Sequence, residues 1–259
     1  MTRSSAARAT TLVFGAPRQR HGPAWGRQRH VRVWNPGDGS DTVDGQAGSD
    51  TLVFNGANIN EKIDLSANGG HARLTRDIAN ITMDLDNVET VDVNAKGGAD
   101  TITVNDLSKT DVNKVNIDLG GADGASDTVV INATNADDAH HRSPTTTAWS
   151  PCRASPPEVT ISNFEANNDR IVINGLGGDD VITASGLGTA MLFTANGGDG
   201  DDVLIGSAGD DTLSGGAGDD VLIGGARAGT SSTADPATTP SFNLPRSPRW
   251  PAATAPTAP

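Results

Sequence analysis

A nine-residue unit is repeated three times in succession, and it constrains the fold more than any other feature of the chain. Residues 197–205 read GGDGDDVLI, residues 206–214 read GSAGDDTLS and residues 215–223 read GGAGDDVLI. Every copy begins with glycine and has aspartate in the sixth position and leucine in the eighth. The glycines permit a tight loop, and the apolar run at the end of each copy favours a short strand. The pattern therefore predicts alternating loops and strands, with the leucine pointing inward.

The repeat resembles the RTX (repeat-in-toxin), or haemolysin-type, nonapeptide G-G-x-G-x-D-x-U-x, which binds Ca²⁺. The resemblance implies an all-β fold, namely a right-handed parallel β-roll or β-solenoid with Gly/Asp-rich calcium-binding turns. Two units complete one turn of such a roll, so Asp202 and Asp220 are expected on adjacent turns, roughly 4.8 Å apart. Ca²⁺ accepts about six to eight carboxylate and carbonyl oxygens, so the cation would offset the repulsion between stacked carboxylates.

The resemblance also implies which residues bind the metal. Asp202 and Asp220, with the loops that precede them, form the one complete site. Asp211 is expected on the opposite edge, and its counterpart 18 residues later is Gly229, so that site is truncated. The predicted metal-binding residues are Asp41, Asp50, Asp180, Asp199, Asp201, Asp202, Asp211, Asp220, Gly197, Gly198, Gly200, Gly206, Gly209, Gly215, Gly216 and Gly218. The alternative is a solvated, turn-rich tract that binds no metal.

Three further units extend the pattern. Residues 36–44, 45–53 and 175–183 place Asp41, Asp50 and Asp180 in the sixth position. Ile59 stands where an aspartate would stack on Asp41, so calcium binding at Asp41 stays open.

Between residues 60 and 135 the nonapeptide decays, but short runs of alternating apolar and polar residues persist and predict strands. These runs are 62–65, 80–85, 90–93, 100–104, 114–119 and 127–131, followed by 161–164 and 170–173. We interpret them as a continued β-solenoid without metal, with an open antiparallel sandwich as the alternative. No segment predicts a helix.

Charge and composition divide the chain into five segments. They are an Arg-rich flank (1–34), degenerate repeats with two RTX units (35–139), an irregular insert (140–158), the RTX calcium-binding β-roll (159–225) and a Pro/Ala/Thr-rich tail (226–259). Both flanks are predicted to be poorly ordered. Synonymous codons for residues 226–243 can encode further RTX-like loops in the neighbouring frame, so we hypothesise frameshifts in this gene, which resequencing would test.

The sequence argues against most other functions. The net charge of −13 disfavours binding to nucleic acid or to anionic membranes. No apolar run approaches the ~20 residues of a membrane span. The chain has no HExxH or GxSxG motif, and its paired aspartates follow the repeat rather than a catalytic cleft. We therefore predict a protein that is not an enzyme.

The predicted function is calcium binding by a β-roll in a secreted or surface-attached bacterial protein, with Ca²⁺ as the cofactor. The resemblance also implies export by type I secretion machinery, while the extracellular partner stays unspecified. The alternatives are a repetitive cell-surface adhesin, a non-catalytic fragment of a larger secreted enzyme or toxin, and, less favoured, a polysaccharide-active β-helix.

Overall fold

The computed structural model describes residues 12–14, 31–142, 148–151, 157–166, 168–187, 191–224 and 231–233. These residues form 21 strands and one short 3₁₀ helix, Ile78–Asn80. The first ten strands are β1 Leu12–Phe14, β2 Val31–Trp34, β3 Thr42–Asp44, β4 Thr51–Asn55, β5 Lys62–Asn68, β6 His71–Arg76, β7 Ile81–Asp86, β8 Thr90–Asn94, β9 Thr101–Val104 and β10 Lys114–Asp118. The others are β11 Thr128–Asn132, β12 Ala139–Arg142, β13 Ala148–Pro151, β14 Glu158–Ser162, β15 Arg170–Gly177, β16 Val181–Thr183, β17 Leu192–Asp199, β18 Val203–Ile205, β19 Asp211–Ala217, β20 Val221–Ile223 and β21 Ser231–Thr233.

The strands make two sheets, and the chain crosses from one to the other as it coils. Sheet I has the order β1-β3-β7-β6-β5-β9-β11-β15-β17-β19-β21, and sheet II has the order β2-β4-β8-β10-β14-β13-β12-β16-β18-β20. Most neighbours are parallel and come from successive turns; β17 with β19 and β18 with β20, for example, pair residues 18 apart. The fold is therefore the parallel β-solenoid that the repeat predicts.

Two antiparallel meanders interrupt the coil. The first, β5-β6-β7, lies in sheet I, and the second, β12-β13-β14, lies in sheet II. Each meander occupies three neighbouring positions in its sheet where a simple turn would occupy one. As a result, β4 is second in sheet II but is followed by β5, which is fifth in sheet I. After the second meander the two sheets are in step again, because β15 is the eighth strand of sheet I and β16 is the eighth strand of sheet II.

One apolar core lies between the sheets. The strands alternate buried and partly exposed residues, as in β4, β8, β9, β10 and β11, so that inward side chains from both sheets join a single cluster. At its N-terminal end Trp34 stacks on Phe54 with ring centroids 4.2 Å apart. Leu204, Leu213 and Leu222, the eighth residues of the triplet, are 0–2% exposed, which confirms that they point inward.

The strand predictions are confirmed for most of the chain, with corrections at the meanders. β6 was not predicted, although Ala72 and Leu74 on it are buried. The strand predicted at 161–164 occupies Glu158–Ser162 instead, because Asn163 has a φ of 53°, which ends the extended run. The antiparallel sandwich is wrong for the block as a whole, since β4, β8 and β10 are parallel.

The segments assigned as flanks fall mostly outside the described residues, apart from β1, β2 and β21. Residues 140–158, expected to be an irregular insert, contribute to β12, β13 and β14. Within the described residues, no helix is long and apolar enough to cross a membrane.

Candidate calcium site

Four aspartates stack on one edge of the solenoid, just before strands of sheet II. Asp138, Asp180, Asp202 and Asp220 precede β12, β16, β18 and β20, whose registers place them side by side. We call these four residues the C-terminal ladder. The 18-residue spacing correctly predicted that Asp202 and Asp220 lie on adjacent turns. Asp180 joins them at a spacing of 22 residues, because the half-turn before β17 is longer.

The same hydrogen bond joins each rung to the next. The backbone N–H groups of Asp138, Asp180 and Asp202 donate to Oδ1 of the following aspartate, at 2.7, 2.9 and 3.0 Å. Asp180, Asp202 and Asp220 are each no more than 1% exposed. The ladder therefore holds three buried carboxylates at the spacing of parallel strands, roughly 4.8 Å.

The second oxygen of these three carboxylates has no hydrogen-bond partner in the part of the chain that the structure describes. Oδ2 of Asp180, Asp202 and Asp220 is buried and accepts no hydrogen bond from the described residues. Leaving a buried charged acceptor unsatisfied costs about 1–3 kcal/mol or more. In contrast, Oδ2 of Asp138 accepts from the backbone N–H and the hydroxyl of Thr134, so the unpartnered oxygens begin at Asp180.

Each unpartnered oxygen faces the first glycine of its own loop. A Cβ at Gly197 would overlap Asp202 Oδ2 and the carbonyl oxygen of Gly215 on the next turn. Gly175 has the same relation to Asp180 and to the carbonyl of Gly197. Carboxylate and carbonyl oxygens from successive turns therefore crowd the same point, and this pairing of oxygen types suits Ca²⁺.

Burial perturbs the ionisation of this ladder. Desolvation raises the pKa of Asp180 to about 7, against the opposing effect of the hydrogen bond from Asp138. Desolvation likewise raises the pKa of Asp202 to about 6, with a further contribution from the charge of Asp220. Both carboxylates are thus costly to ionise beside one another without a cation.

The fifth residues of the repeats form a second, exposed row beside the buried ladder. Backbone N–H groups of Asp201 and Asp219 donate to Oδ1 of Asp179 and Asp201, at 2.9 and 2.8 Å. Asp201, in the fifth position, and Asp199, in the third, are both predicted ligands, and both are exposed. The structure therefore separates the sixth-position carboxylates, which are buried, from the fifth-position ones, which face solvent.

Asp211 lies on the opposite edge with its own partners. Its Oδ2 accepts from the Ser207 N–H at 2.8 Å and its Oδ1 from the Ser207 hydroxyl at 2.6 Å. Phe193 is its neighbour on the preceding turn, and the predicted counterpart Gly229 lies outside the described residues. Burial raises the pKa of Asp211. Gly206 and Gly209 belong to this loop, which also carries Asp210, whose charge contributes to the raised pKa of Asp211.

Asp41 and Asp50 lie apart from the C-terminal ladder. The neighbour of Asp41 in the adjacent strand is Met83, since Thr42 pairs with Asp84. The prediction that Ile59 would occupy this place is wrong, because the first meander inserts β7 beside β3. Asp50 stacks on Glu89, whose Oε2 accepts the Asp50 N–H at 2.6 Å.

A second carboxylate ladder, which the nonapeptide pattern does not predict, lies on the other edge. Glu61, Asp100, Asp127 and Asp169 precede β5, β9, β11 and β15, and we call them the central ladder. Backbone N–H groups of the first three donate to Oδ1 of the next residue, at 2.8, 2.8 and 2.9 Å. Their spacings of 39, 27 and 42 residues hide the ladder in the sequence.

An arginine supplies the positive charge at the start of the central ladder. The Arg76 guanidinium donates to Glu61 Oε1, from Nε at 2.7 Å and also from Nη2. Both side chains are buried, at 4% and 0% exposure. The other oxygen of Glu61 accepts the Ala57 N–H at 3.1 Å. The Arg76 guanidinium also lies 5.8 Å from the centroid of the Trp34 ring.

Side chains alone do not assemble a metal site. Among the described residues, no group of three or more His, Cys, Asp or Glu side chains is arranged to hold an ion. Any cation at the C-terminal ladder must therefore take backbone carbonyl oxygens as well, as the loop glycines allow.

Comparisons with known proteins identify the repeat. The family model of the RTX calcium-binding nonapeptide repeat matches residues 37–58 and 196–226, with four copies. Residues 175–183 fall outside the match. No curated protein and no solved structure matches the chain. RTX repeats bind Ca²⁺, so Ca²⁺ is the cofactor of this fold. The chain is therefore a β-solenoid protein that carries RTX calcium-binding nonapeptide repeats at residues 37–58 and 196–226.

Proposed function

We propose that the C-terminal ladder is the principal calcium site and that it holds two ions. Three RTX-type loops, residues 175–180, 197–202 and 215–220, stack on one edge and leave two gaps between them. The carboxylates of Asp180, Asp202 and Asp220 and the carbonyl oxygens of these loops would coordinate the ions. The observation that carries this proposal is the set of three buried Oδ2 atoms that accept no hydrogen bond from any described residue.

Calcium would supply the charge that this edge lacks. A divalent cation in each gap compensates the stacked carboxylates and keeps them ionised, although burial alone raises the pKa of Asp180 and Asp202. It also replaces the hydrogen bonds that Oδ2 lost on burial. The C-terminal turns should therefore depend on calcium for much of their stability.

Calorimetric titration of the full chain tests this assignment. We expect Asp180→Asn to reduce the number of tightly bound ions from two to one, and Asp202→Asn, which borders both gaps, to remove both. Asp127→Asn is the matched control, since Asp127 is equally part of a buried ladder and keeps its Oδ1 acceptor as asparagine. Loss of calcium binding in Asp127→Asn, or its retention in Asp202→Asn, would contradict the proposal. Mg²⁺ should not substitute, because it requires a tighter octahedral shell.

The cellular setting follows from the affinity expected of such sites. RTX repeats are typical of secreted proteins, and extracellular calcium modules bind at about 10⁻⁴–10⁻³ M. We infer that the chain acts outside the cell, after export by type I secretion machinery, as a non-catalytic calcium-binding protein. Detection of the chain in culture medium, and its retention in cells that lack the exporter, would be the supporting result. Retention in both strains would exclude this route.

A further inference from the structure

A polar groove runs along the edge opposite the C-terminal ladder. It has a volume of about 410 Å³ and lies where the chain leaves sheet II after β4, β8, β10 and β14, which are consecutive in that sheet. Four windings therefore contribute to it, and they span three strand spacings of about 4.8 Å each. Its lining residues are Asn58, Asn94, Lys96, Asp118, Gly120 and Asn163.

The backbone is strained at two of the residues that line the groove. Lys96 has a φ of 82° and Asn163 a φ of 53°, in the left-handed region that costs a residue with a Cβ roughly 1–2 kcal/mol. A Cβ at Gly120 would overlap the Lys96 carbonyl, so the loops approach too closely for any other residue there. Strain of this kind persists where the surrounding structure enforces it, and it concentrates at binding sites.

Hydrogen bonds fix the polar groups of the groove. Asp118 Oδ1 accepts from the Gly120 N–H at 2.9 Å and from Asn163 Nδ2 at 3.0 Å. Asn94 is fixed through its Nδ2, which donates to Asn55 at 2.8 Å. An ionised carboxylate has about four lone-pair sites, and an amide oxygen has two. Both side chains of the Asp118–Asn163 pair therefore keep capacity for a ligand.

The charge of the groove selects the class of ligand. One lysine and one aspartate cancel, although the chain as a whole carries a net charge of −13. Donors and acceptors are mixed along the groove, and none of its described lining residues is aromatic. A strong anion or cation gains little from such a surface, whereas a ligand whose groups both donate and accept, such as a sugar hydroxyl, can use all of it.

We propose that this groove binds a short, uncharged oligosaccharide that lies along the solenoid axis across four windings. Lys96 and the asparagine amides donate to its hydroxyls, and Asp118 and the amide oxygens accept from them. Without aromatic stacking we expect weak binding, with a Kd of about 1 mM. The site is separate from the C-terminal ladder, so its test and the calcium titrations fail independently.

NMR titration of the calcium-saturated full chain with cellotetraose, maltotetraose, mannotetraose and tetragalacturonate tests the proposal. We expect at least one neutral tetrasaccharide to shift the side-chain amide signals of Asn58, Asn94 and Asn163 saturably. Binding of tetragalacturonate alone would overturn the uncharged class, and binding of none of the four would overturn the site.

Variants separate binding from folding. Glycine relieves the left-handed backbone, so Lys96→Gly and Asn163→Gly should fold while each weakens binding at least tenfold. Gln46→Gly is the matched control, because Gln46 has a φ of 66° and lies outside the groove. Unchanged affinity in both groove variants, or an equal loss in the control, would contradict the proposal.

Discussion

The same backbone hydrogen bond joins successive rungs of the central and C-terminal ladders, but the remaining carboxylate oxygens are satisfied in different ways. In both, each N–H donates to the carboxylate of the next turn. In the central ladder, only Asp100 leaves a buried oxygen without a hydrogen bond from the described residues, whereas the C-terminal ladder leaves three. At the start of the central ladder a buried arginine neutralises Glu61. The C-terminal ladder has no such side chain among the described residues.

The residue five positions before a rung also differs between the two ladders. In the C-terminal ladder this residue is glycine for all three unpartnered rungs, and the carboxylate oxygen faces it. In the central ladder it is Ala95 for Asp100 and the exposed Ala122 for Asp127. Gly56 precedes Glu61, and there Arg76 provides the cation. With calcium at the C-terminal ladder as proposed, a protein cation and a metal ion would be alternative ways to compensate stacked carboxylates.

The strongest test of this equivalence is removal of the protein cation. Arg76→Met should lower the free energy of unfolding by about 3–5 kcal/mol, because it leaves Glu61 as an uncompensated buried charge. Urea unfolding in saturating calcium measures this loss, and calcium should not rescue it. Arg73→Met, an exposed position on the same strand, is the control. A loss below about 1 kcal/mol would show that Arg76 does not neutralise Glu61.

Calcium should stabilise the C-terminal ladder as Arg76 stabilises the central ladder, by compensating buried carboxylates. At a free calcium concentration of about 100 times the Kd, each bound ion raises the free energy of unfolding by about 2.7 kcal/mol. Asp202→Asn should abolish this gain, and Asp127→Asn should retain it. Equal calcium responses in the two variants, measured by thermal unfolding at several calcium concentrations, would remove the distinction between the ladders.

Acid should partly replace calcium. Burial raises the pKa of Asp100 to about 7 and of Asp127 to about 6, in line with Asp180 and Asp202. A carboxyl with a raised folded-state pKa contributes stability that is complete below its unfolded pKa of about 3.9. That contribution is lost as the pH rises through about 6–7. The calcium-free chain should therefore become more stable from pH 8 to pH 5, as measured by its urea midpoint.

Calcium should reverse this pH dependence only at the C-terminal ladder, where protons and Ca²⁺ would compete for the same oxygens. Asp100→Asn serves to separate the two ladders. It should stabilise the chain at pH 8 with or without calcium and have little effect at pH 5. A destabilised variant at pH 8 would indicate that the Asp100 charge has a partner.

The smallest expected effect concerns the first of the three stacked loops. Leu176 occupies the second position of its repeat with a φ of 79° and is 45% exposed, whereas Gly198 and Gly216 stand in the equivalent positions. Leu176→Gly should stabilise the chain by about 1 kcal/mol, through relief of the left-handed backbone. Val181→Gly, in the following strand, should instead destabilise by about 0.5–1 kcal/mol. Thermal unfolding of both variants measures the difference, and a destabilised Leu176→Gly would contradict it.

The sequence predicts what depends on short-range periodicity. The inward leucines, most strands and the adjacency of Asp202 and Asp220 follow from spacings of 2, 9 and 18 residues. The central ladder could not be predicted, because its rungs are separated by half-turns of unequal length. The Arg76–Glu61 pair depends on β6, which folds back through the first meander and brings residues 15 apart together. The sequence signal for Glu61 is a glycine five residues before a polar residue, and here that glycine is Gly56.

The paired meanders have a consequence for any change in the length of this solenoid. Two extra strands on one side advance that sheet by about 10 Å relative to the other, so every later crossing of the chain becomes oblique. The second meander cancels this offset just before the loops of Asp180, Asp202 and Asp220. Deletion of either meander alone would leave those three loops out of phase with their strands, whereas deletion of both would shorten the molecule without disturbing them. The two meanders and the chain between them must therefore be kept or deleted together if the three loops are to stay aligned with their strands.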